Sequence, residues 1–303
     1  MHIGLINQLH GKPGPDQPTW NSVKARATVA EAVGFDTFVF EDALLYRDET
    51  ESSGCWESVS IAAALAAVTE RLTIGQSVIN SPYRSPALTA KIAETIDEIS
   101  GGRYILGIGA GNTPDSDYQA FGFPPDRRYS RFSEAIQIIH SLLKTGMAEF
   151  EGEYYTVTGA EMVIRGPRPS GPPINIAAGS PKMLSLVARY ADAWNWWGSD
   201  ETHDEMLDRM RPIVAMLEEA CDEACRDPST LPRTYDLYTV TPSGFSTDGS
   251  GMNQPVTGSA AEISERILRL GDLGISEVRC DVYPKSIEAI SSMQPVVDLV
   301  HAG

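Results

Sequence analysis

The sequence predicts a (β/α)8 barrel of the TIM-barrel class, with its reactive centre in the loops at the C-terminal ends of the strands. Three observations carry this. Eight short apolar runs alternate strictly with eight longer stretches of helical periodicity, the links from each helix to the next strand are mostly tiny, and many links from strand to helix are long. The 303 residues suit one such domain spanning 1–303.

In order, strands are expected near 2–7, 36–40, 72–77, 104–109, 173–178, 192–197, 234–241 and 277–282, and helices near 20–33, 56–69, 86–99, 127–144, 181–190, 202–225, 259–271 and 286–300. In the third helix Leu88, Ile92, Ile96 and Ile99 read as one apolar stripe, and in the sixth Met206, Met210, Ile213, Leu217 and Cys221 do the same. Ser85-Pro86 and Ser180-Pro181 set a capping serine before a proline at the first helical position. Ser259 with Glu262, and Thr202 with Glu205, fit capping boxes. Pro212 falls inside the sixth helix, where it predicts a kink or a split.

The short links are Gly34-Phe35, Glu70-Arg71, Gly101-Gly102-Arg103, Ala191-Asp192 and Gly274-Ile275; the long ones are 8–19, 41–55, 110–126 and 242–258. The Gly- and Ser-rich stretch 242–258 is either a lid or a disordered excursion. Residues 145–172 break the pattern, with a hairpin signal at Phe150 to Tyr155 and a proline-rich return at Arg165 to Pro169, inserted between the fourth helix and fifth strand.

The formal charge of −17 argues against nucleic acid or an anionic membrane as partner, and leaves a small molecule. An anionic cofactor would need local positive potential. No apolar run is long enough to span a bilayer, and the first residues read as a strand rather than a signal peptide, so the expected location is cytoplasmic. Cys55, Cys221, Cys225 and Cys280 form no Cys-x-x-Cys pair and the five histidines are scattered, so no metal site is expected.

The residues with chemical potential lie at the expected strand ends. Asp42, beside Glu41, could bind a ligand, act as a base, cap a helix or make a salt bridge between loops. Ser77-Val78 follows the third strand. Gly107, Gly109 and Gly111, before Asn112, leave backbone open to close approach, but Pro114 and the lack of an immediate helix exclude a dinucleotide fingerprint. Ala177-Ala178-Gly179-Ser180-Pro181-Lys182 runs into a helix N-terminus, a setting for phosphate with Lys182 adding charge. Trp194 and Trp196 read as barrel packing and Trp197 as the tryptophan placed to touch a ring or substrate. Cys55, close to a helix start, is either a reactive thiol or an inert one.

Together these segments resemble the bacterial-luciferase-like oxidoreductases. The resemblance is carried by Gly34-Phe35-Asp36, Leu65 through Leu72, Ile99-Ser100-Gly101-Gly102-Arg103 through Gly111, Tyr118-Gln119-Ala120-Phe121-Gly122, Gly179-Ser180-Pro181-Lys182-Met183 and Tyr190 through Asn195. It implies a barrel that binds the deazaflavin coenzyme F420 or FMN, a homodimer packed through helices near the second and third strands, and a cis peptide at Ser77-Val78 behind the ring. It places Asp42 and Asn112 at catalytic positions. The cofactor would be lined by Asp42, Ser77, Val78, Gly109, Gly111, Asn112, Ala177, Ala178, Gly179, Ser180 and Lys182. Asn7, Cys55 and Trp197 fall to the substrate pocket. The chain departs from the alcohol-oxidising deazaflavin dehydrogenases in having Asp42-Ala43 where Asp-His is common, and Asn112 where some carry an acid. Cys55 matches a cysteine of FMN-dependent alkanesulfonate monooxygenases. The expectation is hydride transfer with coenzyme F420, against an FMN-dependent monooxygenase using O2 and, third, a non-catalytic flavin-binding barrel.

Overall fold

The structure is a computed structural model and describes residues 1–14, 17–47, 51–198, 203–246 and 254–303. Eight barrel strands are present: β1 His2–Asn7, β2 Thr37–Phe40, β3 Thr73–Gln76, β4 Tyr104–Gly109, β5 Ile174–Ala177, β6 Ala193–Trp197, β7 Arg233–Pro242 and β8 Ile275–Val282. They neighbour one another in chain order, and β5 also pairs β4, which closes the barrel. The main helices are α1 Trp20–Val33, α2 Ser58–Val68, α3 Pro86–Ser100, α4 Arg128–Thr145, α5 Pro181–Tyr190, α6 His203–Glu223, α7 Ala260–Arg269 and α8 Gln294–Ala302. Backbone packing groups the chain into two compact units, one of Met1–Asn7, Asn21–Val39 and Ala178–Gly303, the other of Gln8–Trp20 and Phe40–Ala177.

In the first unit β1 pairs β8 and β6 and β8 pair β7, all in parallel. The sixth-helix stripe is as expected: Met206, Met210, Ile213, Leu217 and Cys221 are buried. α6 runs unbroken past Pro212, because an α-helix loses only one hydrogen bond there and α6 has a buried face to hold it. Its expected capping residue, Thr202, lies outside the described residues. Ser259 and Glu262 form the full capping box of α7. The helix expected at 286–300 is two pieces, Ile287–Ser291 and α8, the second opening Gln294-Pro295; a proline cannot donate to the preceding turn, so the chain restarts there. The stretch read as lid or excursion is partly sheet: Val256–Gly258 pairs in parallel with Val240–Pro242 of β7, and 247–253 lie outside the described residues.

In the second unit β4 pairs β3 and β5 in parallel. The insertion is an antiparallel hairpin, Met147–Glu151 with Thr156–Glu161, followed by the proline-rich return. The third-helix stripe is a correction. Ile96 is buried, but Leu88 and Ile99 are exposed, and the inward face is Thr89, Ala90, Ala93, Glu94, Ile96, Asp97 and Ser100. Two acids turn inward because the insertion supplies their partners. Arg165 Nε donates to Glu94 at 2.9 Å, the Gly166 amide donates at 2.6 Å, and Arg168 pairs with Asp97 through two bonds. A buried charge that is paired and hydrogen-bonded is tolerable where a lone one is not. The proline-rich return is therefore a strap pinned to α3. Arg103 closes the bottom of the same unit, donating to the Ala66, Thr69 and Leu72 carbonyls that α2 and its exit leave open.

The long loops 8–19 and 41–55 hold an unexpected small antiparallel sheet, His10–Gly11, Ser52–Cys55 and Leu45–Arg47. A short helix, Asp115–Ala120, follows Pro114. Both are too short to leave a period in the sequence.

Candidate active site at the strand ends

In the second unit, the chain after β2 delivers Asp42, whose side chain has no solvent exposure, into a polar knot. Arg84 grips the carboxylate with two bonds of 2.6 and 2.9 Å, Ser58 Oγ donates at 2.6 Å and the Asn80 amide at 2.9 Å. Arg84 also bonds Glu57 at 2.5 Å, and Glu57 caps α2 through the Val59 and Ser60 amides. Burial works against the Arg84 charge, but Asp42 and then Glu57 more than compensate, and its pKa is raised. Four donors converge on Asp42, so its carboxylate ties together the segments that carry Ser58, Asn80 and Arg84.

Asn80 extends the knot. Its side-chain amide donates to Thr113 Oγ1 at 3.0 Å, and Tyr118 donates to its carbonyl at 2.9 Å. Tyr83 lies 3.3 Å from the same Thr113 oxygen. Burial, more than any charge, pushes Tyr83 up to about 12, so at neutral pH it holds its proton and can donate one but not remove one.

Beside this knot the ends of β3, β4 and β5 form a floor of small residues. The Ser77-Val78 peptide is cis, as the resemblance implies. Val78 packs beneath Gly109, where a Cβ would come within 3.0 Å of its methyl and 3.9 Å of the Ala177 carbonyl. Gly111 has φ +88, and a Cβ there would strike Tyr118 and Asn80. The alternate glycines thus serve close approach of the chain to itself. Asn112 is exposed, while its neighbour Thr113 turns in.

The small sheet brings His10, Glu41 and Cys55 together, a grouping that linear spacing does not show. Their donor atoms all lie within 4.8 Å of one another. Cys55 is a strand residue three positions before α2, and Glu57 is the cap. Of the two readings of Cys55 the structure favours the inert thiol: burial, and then the charges of Glu41 and Asp42, push it up.

In the first unit, Ala178 opens the run into α5. Its amide donates to the Asn195 carbonyl and its own carbonyl accepts from Trp194 Nε1 at 2.8 Å. Gly179 is a glycine because the Trp196 ring occupies the space of a Cβ. Ser180 stands at the helix start but its side chain makes no capping bond, and Ser180 and Lys182 are exposed. Unlike Ser85, whose Oγ caps α3 through Leu88, Ser180 gives the start of α5 no side-chain cap. Trp197 is half-buried against Trp196, with ring centroids 5.0 Å apart. Asn7 is buried and accepts from Arg26 at 3.3 Å. Inside this unit Asn195, Thr234, Asp236 and Arg279 form a buried ladder, with Arg279 bonded to Asp236 at 2.7 Å. Gly4 lacks the Cβ that would meet the Arg279 stem.

Comparison with known proteins now decides the family. The profile described as luciferase-like monooxygenase matches residues 1–240. The chain belongs to this family. An uncharacterized protein of Mycobacterium tuberculosis is 32% identical to this luciferase-like chain over 239 residues, covering 74% of this chain and 77% of the relative. A 5,10-methylenetetrahydromethanopterin reductase of Archaeoglobus fulgidus is 38% identical over 133 residues, which is 44% of this chain and 39% of the reductase. The structure of an F420-dependent secondary alcohol dehydrogenase with an F420-acetone adduct superposes with TM-score 0.79, covering 99% of this chain and 98% of that one at 18% identity. That likeness shows the barrel. The luciferase-like relatives are oxidoreductases and monooxygenases, and this chain is an enzyme of that kind.

Sequence reasoning missed Arg84, Ser58, Asn80 and Thr113. The signal available was Asn80-Ser81-Pro82-Tyr83-Arg84-Ser85-Pro86, where two prolines fix a tight path between β3 and α3 and leave one long basic side chain to point back.

Proposed function

We propose that the protein is an F420-dependent oxidoreductase that passes a hydride between the deazaflavin ring and a small organic substrate. The observation that carries this is the floor of Ser77, Val78, Gly109 and Ala177, small side chains with the rigid Asp42–Arg84 knot beside them. Such a floor fits a planar ring, and the uncapped start of α5 at Ser180, with Lys182, fits an anionic tail. When bound, the deazaflavin supplies a two-electron hydride donor or acceptor. The chain's own part is to hold it: Ser77, Val78, Gly109, Gly111 and Ala177 under the ring, Ala178, Gly179, Ser180 and Lys182 at the tail, and Asn112 at the open side. Asp42 acts as a positioning residue for those loops, and Asn7, Cys55 and Trp197 line the substrate side. The F420-dependent secondary alcohol dehydrogenase that shares the barrel supports the deazaflavin. The family's description as monooxygenases supports the second reading, reduced FMN with O2.

Titrating the protein with F420 and with FMN, followed by fluorescence, tests this. Micromolar binding of F420 with weaker FMN is expected, and tight binding of FMN alone would overturn it. Lys182→Glu should weaken binding at least tenfold with an unchanged melting temperature. Gly179→Glu is not a clean probe, because the new side chain would displace Trp196. A homodimer through α2 and α3 is part of the proposal, supported by exposed Val68, Leu88 and Ile99 on those helices. Leu88→Glu with Ile99→Glu should halve the mass in sedimentation equilibrium.

A further inference from the structure

We propose that His10, Glu41 and Cys55 form a binding site for a borderline-soft divalent cation such as Zn2+. Each ligand comes from a different segment. His10 and Cys55 are direct partners across the antiparallel strands of the small sheet, so their side chains share a face. Glu41 leaves the end of β2 and is fixed from behind, because the Leu9 and His10 amides both donate to its Oε1 at 2.8 and 3.1 Å. His10 Nδ1 sits 2.8 Å from the same oxygen. The imidazole is steadied by the edge of Tyr46, with ring centroids 4.8 Å apart.

The donor set is nitrogen, carboxylate oxygen and thiolate sulfur, the three kinds that tetrahedral zinc accepts. At ordinary bond lengths those donors stand roughly 3.3–3.7 Å apart around the ion. The three atoms here already lie within 4.8 Å, so closure needs about an ångström of side-chain movement. Three protein ligands leave a fourth position for water or a ligand atom. The site is half-buried, which lets an ion enter.

The groups around it favour a cation. A divalent ion beside Cys55 would favour its thiolate and balance the Glu41 carboxylate. Beside the small sheet Lys12 pairs with Glu51, and the exposed Arg47 at the end of one strand is its other cation. Binding follows a definite proton balance. The imidazole binds the metal in its neutral form through one ring nitrogen, with the proton on the other. The thiol proton leaves as the sulfur bonds the metal, so one proton is released per ion. No electron changes hands. The site sits on the loops that follow β1 and β2, so an occupied site would cross-link three loop segments.

The test uses the full chain stripped with chelator and needs neither F420 nor FMN, so it stands or falls apart from the hydride-transfer reading. Titration with Co2+ should give a thiolate-to-cobalt charge-transfer band that saturates at one equivalent and is displaced by Zn2+. Calorimetry of Zn2+ in two buffers of different ionisation enthalpy should report one proton released. Cys55→Ser should remove the band, and His10→Gln and Glu41→Gln should each weaken Zn2+ at least tenfold. Cys225→Ser, at an exposed cysteine, should change nothing. Circular dichroism of the metal-free variants checks that each is folded, and Cys55→Ala serves if Cys55→Ser is not. Absence of a saturable band in the wild type, or a band that survives loss of Cys55, overturns the proposal.

Discussion

The knot at Asp42 makes a quantitative prediction. Asp42→Asn keeps the volume and removes the charge. The Asp42 side chain has no solvent exposure and Arg84 has 11%, so the pair is buried on both sides. The wild-type carboxylate accepts from Arg84 twice, from Ser58 and from Asn80. An asparagine offers one acceptor and turns an NH2 toward the remaining donors. Removing one partner of a buried pair costs about 3–5 kcal/mol. Glu57 keeps a bond of 2.5 Å to Arg84 and is itself 43% exposed, so part of the Arg84 charge stays compensated. The expected loss is about 3 kcal/mol, the lower end of that range. With an unfolding entropy of about 2.1 cal/mol/K per residue over 303 residues, the slope is about 0.6 kcal/mol/K, and the melting temperature should fall by about 5 °C. Urea unfolding followed by tryptophan fluorescence measures the loss directly. Arg84→Met should cost a similar amount, since it strands a buried carboxylate. The double variant should cost less than the two singles combined by about 1.5 kcal/mol or more, because it leaves neither charge alone. An Asp42→Asn loss below about 1 kcal/mol, or strictly additive variants, would refute the reasoning. In the proposed enzyme the same variant should raise the cofactor's Kd while leaving the pH profile of turnover in place. A base at Asp42 would instead lose the acid limb of that profile.

Glu57 sets an acid limit on stability. Burial opposes its charge, but bonds from Ser60, Arg84 and Val59 outweigh burial and hold its pKa below the ordinary glutamate value of 4.5. A folded value below the unfolded one contributes stability that is complete above about 4.5 and is lost as pH falls through the folded value. Glu57→Gln should flatten the acid limb of a plot of urea midpoint against pH, and an unchanged limb would sink the assignment. Thiol labelling with a chromogenic disulfide at pH 8 should proceed at Cys225 first, at Cys55 far more slowly, and at buried Cys221 and Cys280 only on unfolding. Thr239, a β-branched residue at φ +58, buries a hydroxyl with no hydrogen-bond partner among the described residues. Thr239→Gly should leave stability level or raise it by about 1 kcal/mol, the reverse of an ordinary buried threonine, and a loss above about 1 kcal/mol would contradict the strain.

What the sequence disclosed follows from how each interaction is encoded. Barrel strands and helices repeat with periods of 2 and 3.6, so β1, β4, α1 and α5 were legible to within a residue or two. The face of α3 was not. Leu88 and Ile99 look like core by hydropathy, yet Glu94 and Asp97 are the buried pair, because Arg165 and Arg168 return to them from an insertion some seventy residues on. No local rule carries that information. The site divides the same way. Ser77, Val78, Gly109 and Gly179 stand out in the sequence as small residues at strand ends, and the structure gives the two glycines a packing reason, Val78 beneath Gly109 and the Trp196 ring against Gly179. The knot around Asp42 was not, since Arg84 reaches it from 42 positions away and Ser58 from 16. The triangle of His10, Glu41 and Cys55 is the extreme case. His10 and Cys55 belong to a small sheet whose strands are two to four residues long, below the length at which alternation can be seen, and Glu41 joins them from the end of β2. Chemistry assembled by pairing across loops leaves no spacing motif, so a search for Cys-x-x-Cys or His-x-His passes over it.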